Sequence, residues 1–395
     1  MVINKKKLLI ICPFSRPNIG GVETYIDKLT YYAISKGYYV TLLTYQPLTT
    51  NATGLKLEKG EGYEIHRVSW FGRNLFPKLE KYFPLVFFYL FPGLFIKSFF
   101  YYLKHKNETD CIHAHGLIAA SIVKVLNLIF GAKRSVVSTH AIYRLGERPL
   151  LAKLFGFILN DFDKIHAISE VSKQELLKIG LKPNKIDVQP NWIQTEIFKP
   201  LDNIDHAVFP NVKESFNLLF IGRLLEIKGI KLFLEAAEKF PQIGFHIVGN
   251  GPMENEVKNM ASKHSNIYYY GTLQQTNTND LNKIVNLYNL CDYLVSPYLY
   301  DEGFSTVLIE ALACGTKVVV TKKGSPPTFL DNSVAVYLSS EPDSKELIEL
   351  ITKLQKENSP KTMYINICRE FALKNFSPKN ADITINSYEK DYESN

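Results

Sequence analysis

Near its start the chain carries five consecutive apolar residues, Leu8-Leu9-Ile10-Ile11-Cys12, stopped by Pro13. An apolar run without alternation predicts a strand buried on both faces. A glycine-bearing loop follows, Asn18-Ile19-Gly20-Gly21, then a helical pattern over 22–35 with Gly37 just past its end. A second strand pattern occupies 39–44. Strand, loop, helix and strand in that order make a βαβ unit, with parallel strands and a right-handed crossover. The chain is therefore expected to be α/β and doubly wound, with helices on both faces of its sheets.

The same rhythm returns in the second half. Strand patterns at 216–222 and 244–249 flank a helix at 229–239, and further βα units run through 292–297 and 317–321. A polar, proline-flanked seam lies between the halves, from Lys199-Pro200 to Pro210. At roughly 150 residues per domain, the 395 residues suit two domains. We expect one over 1–200, a second over 201–377, and a C-terminal helix within 378–395, over about 378–392, that packs back on the first.

A net charge of +7 points to an anionic partner, with phosphate, nucleic acid and membrane all open. Five cysteines without a C-x-x-C pair argue against a disulfide framework or a zinc site and suit a reducing cytoplasm. The first apolar run is too short for the core of a signal peptide. One segment breaks the rhythm: Tyr82 to Leu103 holds eleven aromatics in twenty-two positions, interrupted by Pro84, Pro92, Gly93 and Lys97. Those interruptions argue against a membrane-spanning helix. Two readings stay open. The segment forms aromatic-rich helices packed on the first domain, or residues 78–106 lie in the headgroup region of an anionic membrane, aided by Lys78, Lys81, Lys97, Lys104 and Lys106.

Ligands of open α/β sheets bind at the carboxyl ends of the strands, where most of the chain's motifs fall. Gly20-Gly21 would let backbone N–H groups approach a phosphate at a helix N-terminus, but it completes no G-x-G-x-x-G, and no acid ends the second strand. A nicotinamide site is disfavoured. Arg223 and Lys228, five residues apart after the 216–222 strand, can neutralise a diphosphate, the guanidinium by forked bonds and the ammonium as a point charge. The segment from Asp301 to Gly315 carries Glu302 and Glu310 on either side of Gly303-Phe304-Ser305-Thr306, with an apolar helix face beyond. A helix starting near Ser305 would offer free N–H groups to an anion. Glu310, one turn in among apolar residues, needs a partner.

This segment resembles the E-x7-E region of retaining GT-B glycosyltransferases of family 4. Phe220-Ile-Gly-Arg-Leu224, Ile247-Val-Gly-Asn-Gly-Pro252, Tyr269-Tyr-Gly271, Ser138-Thr-His140, Ala167-Ile-Ser-Glu170 and Gln189-Pro-Asn191 extend the resemblance in the family's order over nearly the whole chain. It implies two Rossmann-like domains with parallel sheets facing a central cleft. The donor would be a nucleotide-diphospho-sugar, the acceptor a glycan or a lipid-linked molecule, and nucleic acid no partner. No cofactor or metal is implied. Arg223 and Lys228 would hold the diphosphate, and Glu310 the ribose hydroxyls. Glu302, with the backbone of Gly303, Phe304, Ser305 and Thr306, would contact donor sugar and phosphates. His140 would reach a sugar hydroxyl near the reacting carbon, and Gly20 and Gly21 would close over the phosphates. The family transfers with retention and without a protein nucleophile, which suits a sequence that offers no obvious one. The expected setting is cytoplasmic, peripheral on the inner face of the cell membrane, in polysaccharide or glycolipid synthesis.

Trp192 stands where the family usually has glycine, and Pro326-Pro327-Thr328 lacks the family's acid after Gly324. An inactive relative serving as a carbohydrate-binding or scaffolding protein is the alternative; intact Arg223, Lys228, Glu302 and Glu310 favour the enzyme. His113 and His115 end a strand-like run on one face; a metal pair is conceivable, but no further ligand cluster accompanies it, and a structural or acceptor-side role is expected, with His115 the acceptor-side candidate. Asp161-Phe-Asp163 mimics a metal-binding D-x-D but precedes a strand at 164–168, where a surface turn is expected.

Overall fold

The computed structural model describes residues 5–18, 20–50, 52–72, 75–79, 82–131, 134–205, 209, 212–357 and 359–389. Ile19, Lys81, Pro210 and the end of the expected last helix, up to Tyr392, lie outside them. The chain divides into two compact units, 1–191 with 379–395, and 192–378.

In the first unit β1 (Lys6–Ile11), α1 (Gly21–Ser35) and β2 (Tyr38–Tyr45) form the expected βαβ unit, and Leu8 lies between Val40 and Cys111 in parallel register. A hairpin of β3 (Leu57–Gly60) and β4 (Tyr63–Val68) follows, its two-residue turn ending at Gly62 with φ +81°. Next come α2 (Phe76–Leu79), α3 (Phe83–His105), β5 (Cys111–His115), α4 (Gly116–Phe130), β6 (Ser135–Thr139), α5 (Pro149–Leu159), β7 (Lys164–Ala167), α6 (Glu170–Lys178) and β8 (Ile186–Val188). The strand order is β3-β4-β2-β1-β5-β6-β7-β8, parallel except for β3 on β4. Chain order therefore reverses between β1 and β5, which makes that crevice the switch point.

The aromatic segment is one continuous helix, α3, despite Pro92 and Gly93 in its middle. Proline removes a rung from the helical ladder. Beside it, the Tyr45 hydroxyl accepts from Leu94 N at 2.7 Å and donates to Leu90 O at 2.6 Å, standing in for backbone pairing. Gly93 makes room for this: a Cβ there would fall 2.6 Å from the Trp70 ring and 2.9 Å from the Tyr45 hydroxyl. Leu90, Leu94 and Tyr102 are buried with Leu9, Ile11, Val123 and Phe155 in one core, so α3, α4 and α5 cover one face of the sheet.

The second unit contains β9 (Asn217–Ile221), α7 (Ile230–Lys239), β10 (Gly244–Val248), α8 (Glu254–Lys263), β11 (Ile267–Tyr269), α9 (Thr278–Leu290) and β12 (Tyr293–Ser296). It continues with α10 (Thr306–Ala313), β13 (Lys317–Thr321), α11 (Pro326–Phe329), β14 (Ala335–Leu338), α12 (Ser344–Glu357) and α13 (Ile365–Phe376). Its strands run β11-β10-β9-β12-β13-β14, all parallel. Numbered from β9, that is the 3-2-1-4-5-6 order of a Rossmann sheet, with its switch point between β9 and β12. Both units are Rossmann-like.

The seam expected near residue 200 is displaced. Trp192, Ile193 and Phe198 are buried, the last two in the core of the second unit, and Ile193 N donates to Phe376 O at 2.9 Å. Arg369 fixes the same segment by donating to the carbonyls of Thr195 (2.9 Å) and Phe198 (2.5 Å). The division therefore falls after Asn191, because apolar burial and a guanidinium outweigh the proline signal. At the other end α14 (Asn380–Asn386) returns to the first unit.

Candidate functional site

The residues named from the second half gather at the carboxyl ends of β9, β12 and β13. Arg223 follows β9 and is exposed; Lys228 ends a single 3-10 turn, Glu226–Lys228, before α7. That turn closes through Gly229 at φ +80°, where a Cβ would lie 2.1 Å from Pro297 O. Glycine is thus required for the turn to reach the loop after β12. Across that contact Lys228 Nζ donates to Glu302 Oε2 at 2.7 Å, and the side chains are only 24% and 11% exposed. Tyr300 completes the group, donating to Glu302 Oε2 and accepting from Lys228 Nζ. The ammonium also lies 5.0 Å and 4.8 Å from the ring centres of Tyr298 and Tyr300. Burial, then the Glu302 charge, push both phenols up, so they remain protonated donors.

Glu302 is a buried carboxylate and not an exposed loop acid. Its backbone is held by the loop after β13: Ser325 N donates to Glu302 O at 2.9 Å, and Gly324, φ +69°, packs so closely that a Cβ would stand 2.5 Å from Glu302 N. Gly303 and Phe304 lead into α10, with the Phe304 ring stacked on Phe329 at 4.9 Å. Ser305 is the N-cap residue, yet its hydroxyl pairs with Tyr298 at 2.7 Å and makes no capping bond. The first N–H groups of α10, from Thr306, are left by helix geometry for an outside acceptor. Glu310, 1% exposed, has the partners its apolar setting demands: Tyr288 donates at 3.0 Å and Gln275 at 3.1 Å. Arg223 adds a positive field felt at Tyr300. A cation pair, an open helix N-terminus and two oriented carboxylates are the means to hold an anion with hydroxyl groups beside it.

In the first unit Gly20 is the N-cap of α1, in extended backbone, and Gly21 opens the helix. The Glu23 carboxyl folds over this turn: a Cβ on Gly20 would meet its Oε2 at 2.4 Å, and burial raises its pKa. His115 ends β5 and His140 follows β6, joined through His115 Nδ1 and His140 Nε2 at 2.9 Å with the rings stacked. His113 is bound on both sides, by Tyr388 and Ser138, each at 2.8 Å. Desolvation pushes His140 down to about 4, His166 to about 3, and His113 and His115 well below their usual range. All four imidazoles are neutral near pH 7, able to hydrogen-bond without bringing charge. Asp161 and Asp163 are structural: Asp161 pairs with Lys124 at 2.5 Å, and Asp163 accepts from Ser135 N at 2.7 Å.

Sequence reasoning missed Tyr298, Tyr300, Tyr288, Gln275 and Glu23. The Tyr298-x-Tyr300 pair just before Glu302 was the available signal, since phenols flanking a carboxylate are natural donors to it.

Comparison with known proteins gives two family matches: Glycosyltransferase Family 4 over residues 19–197 and Glycosyl transferases group 1 over 202–371. The phosphatidylinositol N-acetylglucosaminyltransferase GPI3 subunit of Saccharomyces cerevisiae is 24% identical across 93% of this chain and 76% of its own. The sucrose-phosphate synthase structure from Thermosynechococcus elongatus superposes with a TM-score of 0.76 at 17% identity, covering 96% of this chain and 97% of that one. Anabaena HepE, solved with UDP-glucose, gives 0.72 at 18% identity, over 96% and 98%. Both structural likenesses establish the GT-B fold. The two family matches account for one unit each, and the chain belongs to the family 4 (group 1) glycosyltransferases.

Proposed function

We propose that this glycosyltransferase moves a sugar from a nucleotide-diphospho-sugar to a glycan or lipid-linked acceptor, with retention at the anomeric carbon. The observation that carries the reading is the Lys228–Glu302 pair at the switch point of the second sheet. Without donor, each charge satisfies the other. An arriving diphosphate competes for Lys228 and is met by Arg223 and the N–H groups from Gly303 to Thr306, which frees Glu302 to accept from sugar hydroxyls. Glu310, oriented by Tyr288 and Gln275, is suited to the paired hydroxyls of a ribose. His140, neutral and steadied by His115, is assigned a sugar hydroxyl, with Gly20 and Gly21 on the phosphates.

The bond from the anomeric carbon to the phosphate oxygen breaks as the bond to the acceptor oxygen forms on the same face. The acceptor proton passes to the departing phosphate. Catalysis then rests on positioning and on charge stabilisation by Arg223, Lys228 and the α10 amides, and no metal ion or cofactor is given a role. The yeast relative's phosphatidylinositol acceptor favours a lipid-bearing acceptor here, reached by a peripheral protein on the cytoplasmic side of a membrane in glycolipid or polysaccharide synthesis. The test is a screen of nucleotide sugars against lipid-linked and free glycan acceptors, with the product anomer read by NMR. Retained configuration from one donor is expected; no transfer or hydrolysis across the whole screen would overturn the reading.

A further inference from the structure

Three helices of the first unit pack side by side, α3 on α4 and α4 on α5, and none contains a single Asp or Glu. Their inner faces build the core, whereas their outer faces are apolar. Phe88, Ile96 and Phe100 on α3, Leu128 on α4, and Leu150 and Phe157 on α5 are between 53% and 82% exposed. On α5, Leu150, Leu154 and Phe157 follow helical spacing, so they form one stripe and not scattered exposures. A patch of this kind on a soluble chain marks an interaction surface.

Its charges are of one sign. Lys104 on α3, and Arg148 and Lys153 at the start and middle of α5, are exposed; Lys97 is half-buried, and Lys106 lies 5.2 Å from the Phe130 ring centre. Acids stand only beyond the helix ends, and two are already engaged, Glu108 by Lys7 and Asp161 by Lys124; Glu147 precedes α5. Aromatic and aliphatic side chains ringed by cations match the interfacial layer of an anionic bilayer. They match a second protein surface less well, since charges there are interspersed in both signs. The helix α3 has the length and apolarity to cross a membrane, but Leu90, Leu94 and Tyr102 tie one face into the core.

We infer that the outer face of α3, α4 and α5 together is a docking surface for anionic lipid bilayers. The surface goes beyond residues 78–106, because Leu128, Leu150 and Phe157 come from later helices. It deepens the lipid-linked acceptor reading, yet its assay needs neither donor nor acceptor, so the two can fail separately.

The test is sedimentation of the full chain with vesicles of phosphatidylcholine alone or with 30% phosphatidylglycerol (about a third anionic, enough for a surface potential). The expected result is retention on the anionic vesicles only, reduced at least tenfold by Phe88→Ser with Phe100→Ser, and likewise by Leu150→Ser with Phe157→Ser. Circular dichroism melts check that these surface changes leave the fold intact. Absence of binding to either vesicle overturns the inference. So does a loss confined to the α3 pair, or a self-association of the wild type that the same substitutions dissolve.

Discussion

The two units use one architecture for opposite electrostatics. Each has a sheet, parallel but for β3 in the first, whose chain order reverses once, between β1 and β5 or between β9 and β12. Along β5 and β7 of the first and at the carboxyl ends of β5 and β6 stand four neutral, buried imidazoles; at the carboxyl edge of the second, an ion pair with two protonated tyrosines. The fold therefore supplies a location, and the side chains supply the chemistry. Neutral donors and acceptors suit sugar hydroxyls, whereas an ammonium beside open helix N–H groups suits phosphate.

That contrast can be broken from its charged side first. Glu302→Gln keeps the shape of the side chain but removes the charge facing Lys228, and should lower transfer by at least about a hundredfold. Donor affinity, read by calorimetry, should fall instead with Lys228→Ala, by about tenfold or more. Equal loss of affinity in both variants would show that the two residues act as one structural unit.

The second test uses acid. An unfolded histidine titrates near 6.5, whereas the four in the first unit take up protons only far lower, His140 at about 4. Between those values the unfolded chain binds more protons, so stability falls as pH drops below about 6.5, by up to about 1.4 kcal/mol per pH unit for each histidine. Glu23 and Asp27, raised by burial, offset part of this. Among its described residues the second unit has one such histidine, His246, pushed down to about 3. Trp70 and Trp192 fall in different units and are the chain's only two tryptophans, so Trp192→Phe and Trp70→Phe each leave one reporter. The denaturation midpoint seen by Trp70 should fall faster between pH 6.5 and 5 than that seen by Trp192.

Smaller effects come from the loops. Gly324→Ala must place a Cβ at φ +69° against the Glu302 backbone and should cost about 2 kcal/mol or more in chemical denaturation. Gly20→Ala in the first unit meets only the movable end of Glu23, in extended backbone, and should cost less than about 1 kcal/mol.

Sequence pattern carried the fold a long way because each buried parallel strand announces itself as a short apolar run. The carriers of charge were also legible: Arg223, Lys228, Glu302 and Glu310 follow strand patterns or open a helix. Their partners were hidden, since Lys228 and Glu302 stand 74 positions apart and meet only when β9 and β12 pair. Gly324 gave no local sign that it supports Glu302, and the role of Gly93 depends on Tyr45, two strands and a helix earlier. The antiparallel β3 is short and mostly exposed, so it lacked the apolar run that marked the others.

The return of α14 has a consequence for synthesis. Asp382 pairs with Lys36, Ser387 O accepts from Arg134, Tyr388 binds His113, and Glu389 accepts from Tyr38. The first unit is thus closed by residues that follow the whole of the second in the chain. Until translation has passed Glu389, the nascent first unit exposes one flank of its histidine cluster, even if the second unit has already folded. A ribosome stalled between the end of the second unit and Glu389 would then hold a folded second unit beside an unfinished first one, the form a cell's quality-control proteases would meet.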